Sequence, residues 1–194
     1  MTNQAIILGT GEWDHAVSLD KHTIKSTPIG PNEQGHMQFE TERTAIGEAV
    51  FQLKYRSDFN QVDFLANAIV NALNSGYPTI NLVIPMPASK IRNRQPVYEI
   101  ARRAASILDI DYSEEVLVKT KSTGMMKDLA THEERVAALT GCFESRNNLA
   151  DGPWDVLVID DLYDTGASLS AACNALRTCA NIRSISAIAL TRRH

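Results

Sequence analysis

Val156-Leu157-Val158-Ile159-Asp160-Asp161-Leu162-Tyr163-Asp164-Thr165-Gly166-Ala167-Ser168 is the stretch of this 194-residue chain from which its fold can be read. Four successive apolar residues predict a strand covered on both faces. The strand delivers two adjacent carboxylates at its end, a pairing that suits a divalent cation or sugar hydroxyls. A short loop, Asp164 to Ser168, then opens a helix. Gly166 lets the backbone take a positive φ or approach a ligand closely. The first N–H groups of a helix have no intrahelical partner and carry partial positive charge. With the hydroxyls of Thr165 and Ser168 they make a phosphate cradle. Carboxylates beside a phosphate cradle fit a sugar phosphate. A bare strand–turn–helix capped by Asp164 or Thr165 explains the turn, but not the joint placement of acids, glycine and hydroxyls.

Working outward, the pattern alternates strand and helix. Ile80 to Pro85 is a second short apolar strand, and Val116–Val118 and Ser184–Leu190 are further ones. Helices are predicted over Thr44–Tyr55, Val62–Leu73, Val97–Leu108 and Ala167–Leu176, from apolar positions at i, i+3, i+4 and i+7. Thr131-His132-Glu133-Glu134 has capping-box spacing and starts another helix through Leu139. Lys119 to Leu129 has no period and is expected to be a loop. Alternation of this kind specifies an α/β fold with a mostly parallel central sheet flanked by helices. Ligands in such sheets bind at the carboxyl ends of the strands. Residues 1–43 are turn-rich, and His15 to Ile24 is expected to be a strand of a small antiparallel unit. The expectation is one domain over 1–194, with 44–194 as core and 1–43 as a candidate hood.

The quoted run resembles the signature of type I phosphoribosyltransferases, which bind 5-phosphoribosyl-1-pyrophosphate (PRPP): apolar strand, two acids, two variable residues, then x-Thr-Gly-x-Ser/Thr. The resemblance implies that fold. It implies that Asp160 and Asp161 hold the ribose hydroxyls and Mg²⁺, directly or through PRPP. It further implies that Asp164, Thr165, Gly166, Ala167 and Ser168 hold the 5′-phosphate. An acid at Asp164 resembles the proposed general base of the 6-oxopurine enzymes. In this superfamily the loop after the earlier strand binds pyrophosphate, often through a strained or cis peptide, which points to Ala88, Ser89 and Lys90. Arg92 and Arg94 could add cations there. Lys121 and Lys127 flank Gly124 in a loop able to close over pyrophosphate, and are the lid candidates. The expected chemistry is displacement of pyrophosphate from C1 of PRPP by a nitrogenous acceptor.

A closer resemblance covers the chain from about Thr44 to its end. Ile46-Gly47-Glu48 with Leu53-Lys54-Tyr55-Arg56 is similar to the "GE…LKY" helix of the ComF family. Pro85-Met86-Pro87 matches its Pro-x-Pro, and Thr123, Leu129, Glu134-Arg135, Gly141 and Phe143 track its later segment. Met126 stands where that family usually has Gln and Ala138 where it has Asn, and its N-terminal four-cysteine zinc ribbon is absent. The chain thus resembles a divergent, ribbon-less member. That family is tied to natural competence and uptake of single-stranded DNA. The alternatives to catalysis are therefore a non-catalytic PRPP- or nucleotide-binding regulator, or an accessory protein of DNA uptake.

Bulk properties narrow the classes. With 44% hydrophobic and 22% charged residues the chain is a globular domain, not a disordered one. A net charge of −4 supplies no basic field for nucleic acid, so single-stranded DNA is not favoured as partner. Three cysteines, Cys142, Cys173 and Cys179, form no C-x-x-C pair and suggest reduced thiols in the cytoplasm. No run approaches the ~20 apolar residues of a membrane span. A homodimer is expected. Gly9-Thr10-Gly11 lacks the third glycine of a dinucleotide fingerprint, and His15, His22, His36 and His132 lack metal-ligand spacing. Arg192-Arg193-His194 is expected to be a solvated terminus.

Overall fold

A computed structural model describes residues 5–90, 92–121, 138–139, 141–146, 148–150 and 152–193. A six-stranded sheet lies at its centre. In chain order its strands are β1 (Ile6–Ile7), β2 (His15–Lys21), β5 (Leu82–Pro85), β6 (Asp111–Tyr112), β9 (Trp154–Tyr163) and β10 (Ile182–Arg192). They lie side by side as β1-β2-β10-β9-β5-β6, all parallel except β1, which runs against β2. Two small antiparallel pairs sit outside it: β3 (Lys25–Pro31) with β4 (Met37–Glu42), and β7 (Leu117–Lys119) with β8 (Phe143–Ser145). The described helices are α1 (Ala45–Arg56), α2 (Gln61–Leu73), α3 (Pro96–Leu108) and α4 (Ala167–Arg177).

The alternation of side chains along a strand explains the layers. Val156 and Val158 of β9 join Leu169, Ala172, Cys173 and Leu176 of α4 on one face. Leu157 and Ile159 join Ile46, Leu53, Leu65, Ile69 and Ile100 of α1, α2 and α3 on the other. Both faces are covered, which is why β9 shows an unbroken apolar run. Helix α1 begins where Thr44 Oγ1 accepts from the Gly47 N–H at 3.0 Å. The same hydroxyl donates to the Lys21 carbonyl at 2.6 Å, tying the start of the helix to the end of β2.

The strand predicted at His15–Ile24 forms over His15–Lys21, but not in a small antiparallel unit. It enters the central sheet parallel to β10, from Ser186↔His15 to Arg192↔Lys21. The reason is tertiary: β10 needs a partner on its outer side, and Ala16 and Ser18, 2% and 0% exposed, are small enough to pack there. The antiparallel hairpin of this region is instead β3–β4. Its turn is held by the Asn32 side chain, which accepts from the N–H groups of Gln34 and His36.

Chain connections turn outward in opposite directions from the middle of the sheet. From β5 the chain passes through α3 to β6 on one side; from β9 it passes through α4 to β10 on the other. Strand β5 ends at Pro85 beside Ile159, whereas β9 continues to Tyr163 alongside β10. Asp160 to Tyr163 therefore have a strand neighbour on one side only. The space left on the other side, at the carboxyl ends of the strands, is where ligands enter doubly wound sheets.

Candidate functional site

That space is a cleft of about 990 Å³, whose walls include Asp160, Asp161, Asp164 to Ser168, Ala88 to Lys90 and Lys54. The volume lies at the upper end of the range of small-molecule sites.

One wall is the end of β9. The strand runs farther than its apolar core, so Asp160 and Asp161 lie within it, held by pairing of Ala189 with Asp160 and Thr191 with Leu162. Asp160 Oδ1 accepts from the Asp161 N–H at 2.8 Å. Burial, and then the neighbouring Asp161 charge, push the Asp160 carboxyl up to about 7. The Thr191 hydroxyl donates to the Asp161 carbonyl at 2.8 Å and also meets His22 Nδ1 at 3.1 Å.

The floor is the start of α4. Gly166 occupies its N-cap at φ 79°, a left-handed conformation that favours glycine, and caps the helix without a side-chain hydrogen bond. The Tyr163 ring lies against this glycine, so that an added Cβ would stand 2.7 Å from Tyr163 Oη. An anion-binding helix start needs such close backbone access.

The opposite wall is the loop after β5, anchored by the Met86 N–H on the Ile159 carbonyl at 2.8 Å. Ser89 Oγ accepts from Lys119 Nζ at 3.1 Å. Lys119, the last residue of β7, thus brings its charge to the cleft, and desolvation holds its ammonium below the usual lysine range. Arg92 lines the cleft and donates to the Lys54 carbonyl at 3.0 Å. Arg94 does not: its guanidinium stacks 3.8 Å over Phe59 and pairs with Glu99. The cis peptide of the described residues is Gly152–Pro153, away from this loop.

The structure brings together Asp160, Asp161, Asp164, Thr165, Gly166, Ala167, Ser168, Ala88, Ser89 and Lys90, although some 70 residues separate the two groups in sequence. Lys121 does not line the cleft; its Nζ lies near Gly141. Lys127, and most of the expected lid and of the helix from Thr131, lie outside the described residues.

Sequence reasoning missed two cations and misjudged the terminus. Lys54 Nζ reaches Asp161 Oδ2 at 2.6 Å. Its only trace in the sequence is its place in the LKY run. Arg193 Nη1 lies 3.4 Å from Asp164 Oδ2 and lines the cleft, and Arg192, 5% exposed, is the last residue of β10. The C-terminus is not simply solvated, because β10 carries it along β9 as far as Tyr163.

No family model matches the chain. It is 30% identical over 154 residues to the competence protein ComFC of Bacillus subtilis (strain 168), an alignment covering 78% of this chain and 62% of that protein. The chain therefore spans somewhat under two thirds of its relative's length. Among solved structures, adenine phosphoribosyltransferase from Thermoanaerobacter pseudethanolicus superposes with a TM-score of 0.50 at 15% identity, covering 88% of this chain and 84% of that one. At that identity the likeness concerns the fold alone.

Proposed function

We propose that this chain, a ComF-like protein of the type I phosphoribosyltransferase fold, binds PRPP in the cleft and transfers its phosphoribosyl group to a nitrogenous acceptor, a nucleobase being the first to test. One observation carries the reading: a diacid, a glycine-opened helix start and a cationic loop converge on one cleft with room for a sugar phosphate and more. In this reading the start of α4, from Asp164 to Ser168, holds the 5′-phosphate through backbone N–H groups and the Thr165 and Ser168 hydroxyls. Asp160 and Asp161 accept from the ribose hydroxyls. The loop Ala88–Lys90, with Lys119 and Arg92 beside it, faces the pyrophosphate and stabilises its departing charge. Asp164 takes the acceptor's proton; Lys121, away from the cleft walls, and Lys127, outside the described residues, are given no step.

Mg²⁺ fits this donor set in one way. Among the described residues no three metal-ligating side chains cluster. A cation here would take one or two oxygens from Asp160 and Asp161 and the rest from ligand and water, the usual habit of Mg²⁺ in phosphate sites. It would supply charge neutralisation of the leaving pyrophosphate. Three buried cysteines, none of them in a disulfide among the described residues, suit a reducing compartment, and a cytoplasmic setting is proposed. Among the described residues no helix is long and apolar enough to cross a membrane.

A second reading is favoured by the similarity to a competence protein: the same site binds PRPP or a nucleotide without turnover and acts in DNA handling. Calorimetric titration with PRPP, with and without Mg²⁺, tests what the readings share. Mg²⁺-dependent binding is expected, lost in Asp160→Asn/Asp161→Asn; binding unaffected by that double substitution overturns the assignment. Pyrophosphate release with a panel of bases separates enzyme from binding protein.

A further inference from the structure

Lys54 leaves the last turn of α1, where a cation also meets the negative end of the helix dipole. Its Nζ lies 2.6 Å from Asp161 Oδ2, and the side chains are only 29% and 15% exposed. The pair is fixed from several directions. The Lys54 carbonyl accepts from Arg92 in the loop after β5, and the Asp161 carbonyl accepts from Thr191 of β10. Within the diacid, Asp160 Oδ1 is engaged by the Asp161 N–H and Asp161 Oδ2 by the ammonium. A divalent cation approaching Asp161 would meet a positive charge already seated on one of its oxygens. Repulsion at such range, in a half-shielded cleft, is poorly screened by salt.

We propose that Lys54 is the resident counter-cation of the Asp160–Asp161 pair, its ammonium holding the position at Asp161 that a divalent cation would take, so that the metal enters with the phosphorylated ligand and not ahead of it. The inference rests on the cation-assisted reading given above. It explains why a lysine from a remote helix is directed onto the acidic pair of a cleft that Lys90 and Lys119 already line. It also assigns Lys54 a positioning role: it keeps Asp161 oriented, and gives way or swings toward phosphate when the anionic ligand arrives.

The test is Mn²⁺ binding to the full chain without PRPP, read from the electron paramagnetic resonance signal of free Mn²⁺. Lys54→Met keeps the apolar stem and removes the charge, and should tighten Mn²⁺ by about tenfold or more. Lys54→Arg should bind as weakly as the unmodified protein. In an Asp161→Asn background, Lys54→Met should bring no tightening, since the effect passes through that carboxylate. Urea unfolding confirms that each variant is folded, and Lys54→Gln replaces the Met variant if that one is not. A folded Lys54→Met or Lys54→Gln protein that binds Mn²⁺ no more tightly than the unmodified chain overturns the proposal. The PRPP titration is read separately. Tightening of Mn²⁺ in a protein that ignores PRPP supports the Lys54 role and removes the PRPP reading. PRPP binding with unchanged Mn²⁺ affinity does the reverse.

Discussion

Substituting Gly166 by alanine tests the link between the backbone of the helix start and its function. Gly166 sits at φ 79°, where an L-residue costs about 1–2 kcal/mol. The new Cβ would also stand 2.7 Å from Tyr163 Oη, 2.9 Å from Cε2 and 3.0 Å from Cζ. Tyr163 is half-buried and its ring can swing, so this contact adds about 1 kcal/mol, the cost of an off-rotamer side chain. The sum, about 2–3 kcal/mol, corresponds to a fall in Tm of roughly 4–12 °C for a domain of this size. The assay is urea and thermal unfolding of Gly166→Ala, Tyr163→Ala and the double variant. In the Tyr163→Ala background the glycine substitution should lose its steric part and keep its conformational part, so its cost should drop by about 1 kcal/mol. PRPP affinity should fall at least about tenfold in Gly166→Ala, because the N–H groups proposed to meet phosphate are re-aimed. A Gly166→Ala protein with the unfolding midpoint of the original refutes the reasoning; one destabilised as expected but with undiminished PRPP affinity refutes the phosphate-cradle assignment alone.

Four further outcomes are expected. Gly47→Ala should destabilise by about 3 kcal/mol, because its Cβ would meet the His22 carbonyl oxygen at 2.2 Å and backbone cannot swing aside; urea midpoints read this. Asp155, 4% exposed, accepts from Arg183 and Ser184, and Asp155→Ala should cost about 1 kcal/mol, chiefly the hydrogen bond from half-buried Ser184, since the Arg183 side chain is largely exposed. The pH profile should carry two opposed signatures. Arg183 holds the Asp155 carboxyl below its usual value, so its stabilisation is present above the unfolded carboxylate pKa and is lost as pH falls through the lower folded one; Asp160, raised to about 7, makes the folded protein hold an extra proton, so stability falls as pH rises from about 4 to 7. Asp160→Asn should flatten the second slope in urea titrations between pH 4.5 and 8, and an unchanged slope would show that another group titrates. Cys173, fully buried with its thiol pushed up to about 12 by desolvation, should resist thiol reagents in the folded protein and react only on unfolding.

Much of the fold was legible because it is written in local periodicity. The apolar run of β5 and the stripes of α1, α2, α3 and α4 each appear within a residue or two of their predicted limits, whereas β9 continues four residues past its apolar run, to Tyr163. The walls of the cleft were legible for a related reason: an acid pair and a glycine between hydroxyls on a strand–loop–helix carry their chemistry wherever that unit is placed. Partnership was not legible. His15–Lys21 has the composition of a strand, but nothing local says that β10 will take it in parallel. Lys54 reads as an ordinary solvated position of a helix until α1 is packed across the sheet with its last turn over Asp161. Lys119 and Lys121 are two residues apart, yet only Lys119 lines the cleft. Arg193 looked like a solvated end because sequence does not show that β10 runs beside β9 far enough to set it near Asp164.

The sequence by itself determined an α/β sheet with a glycine-opened turn after its central strand, because burial periodicity and backbone freedom at glycine act over a few residues. Tertiary structure decided which charges face one another across the cleft. Those pairings depend on strand order and helix placement, set by the packing of a whole core and by no single stretch of chain.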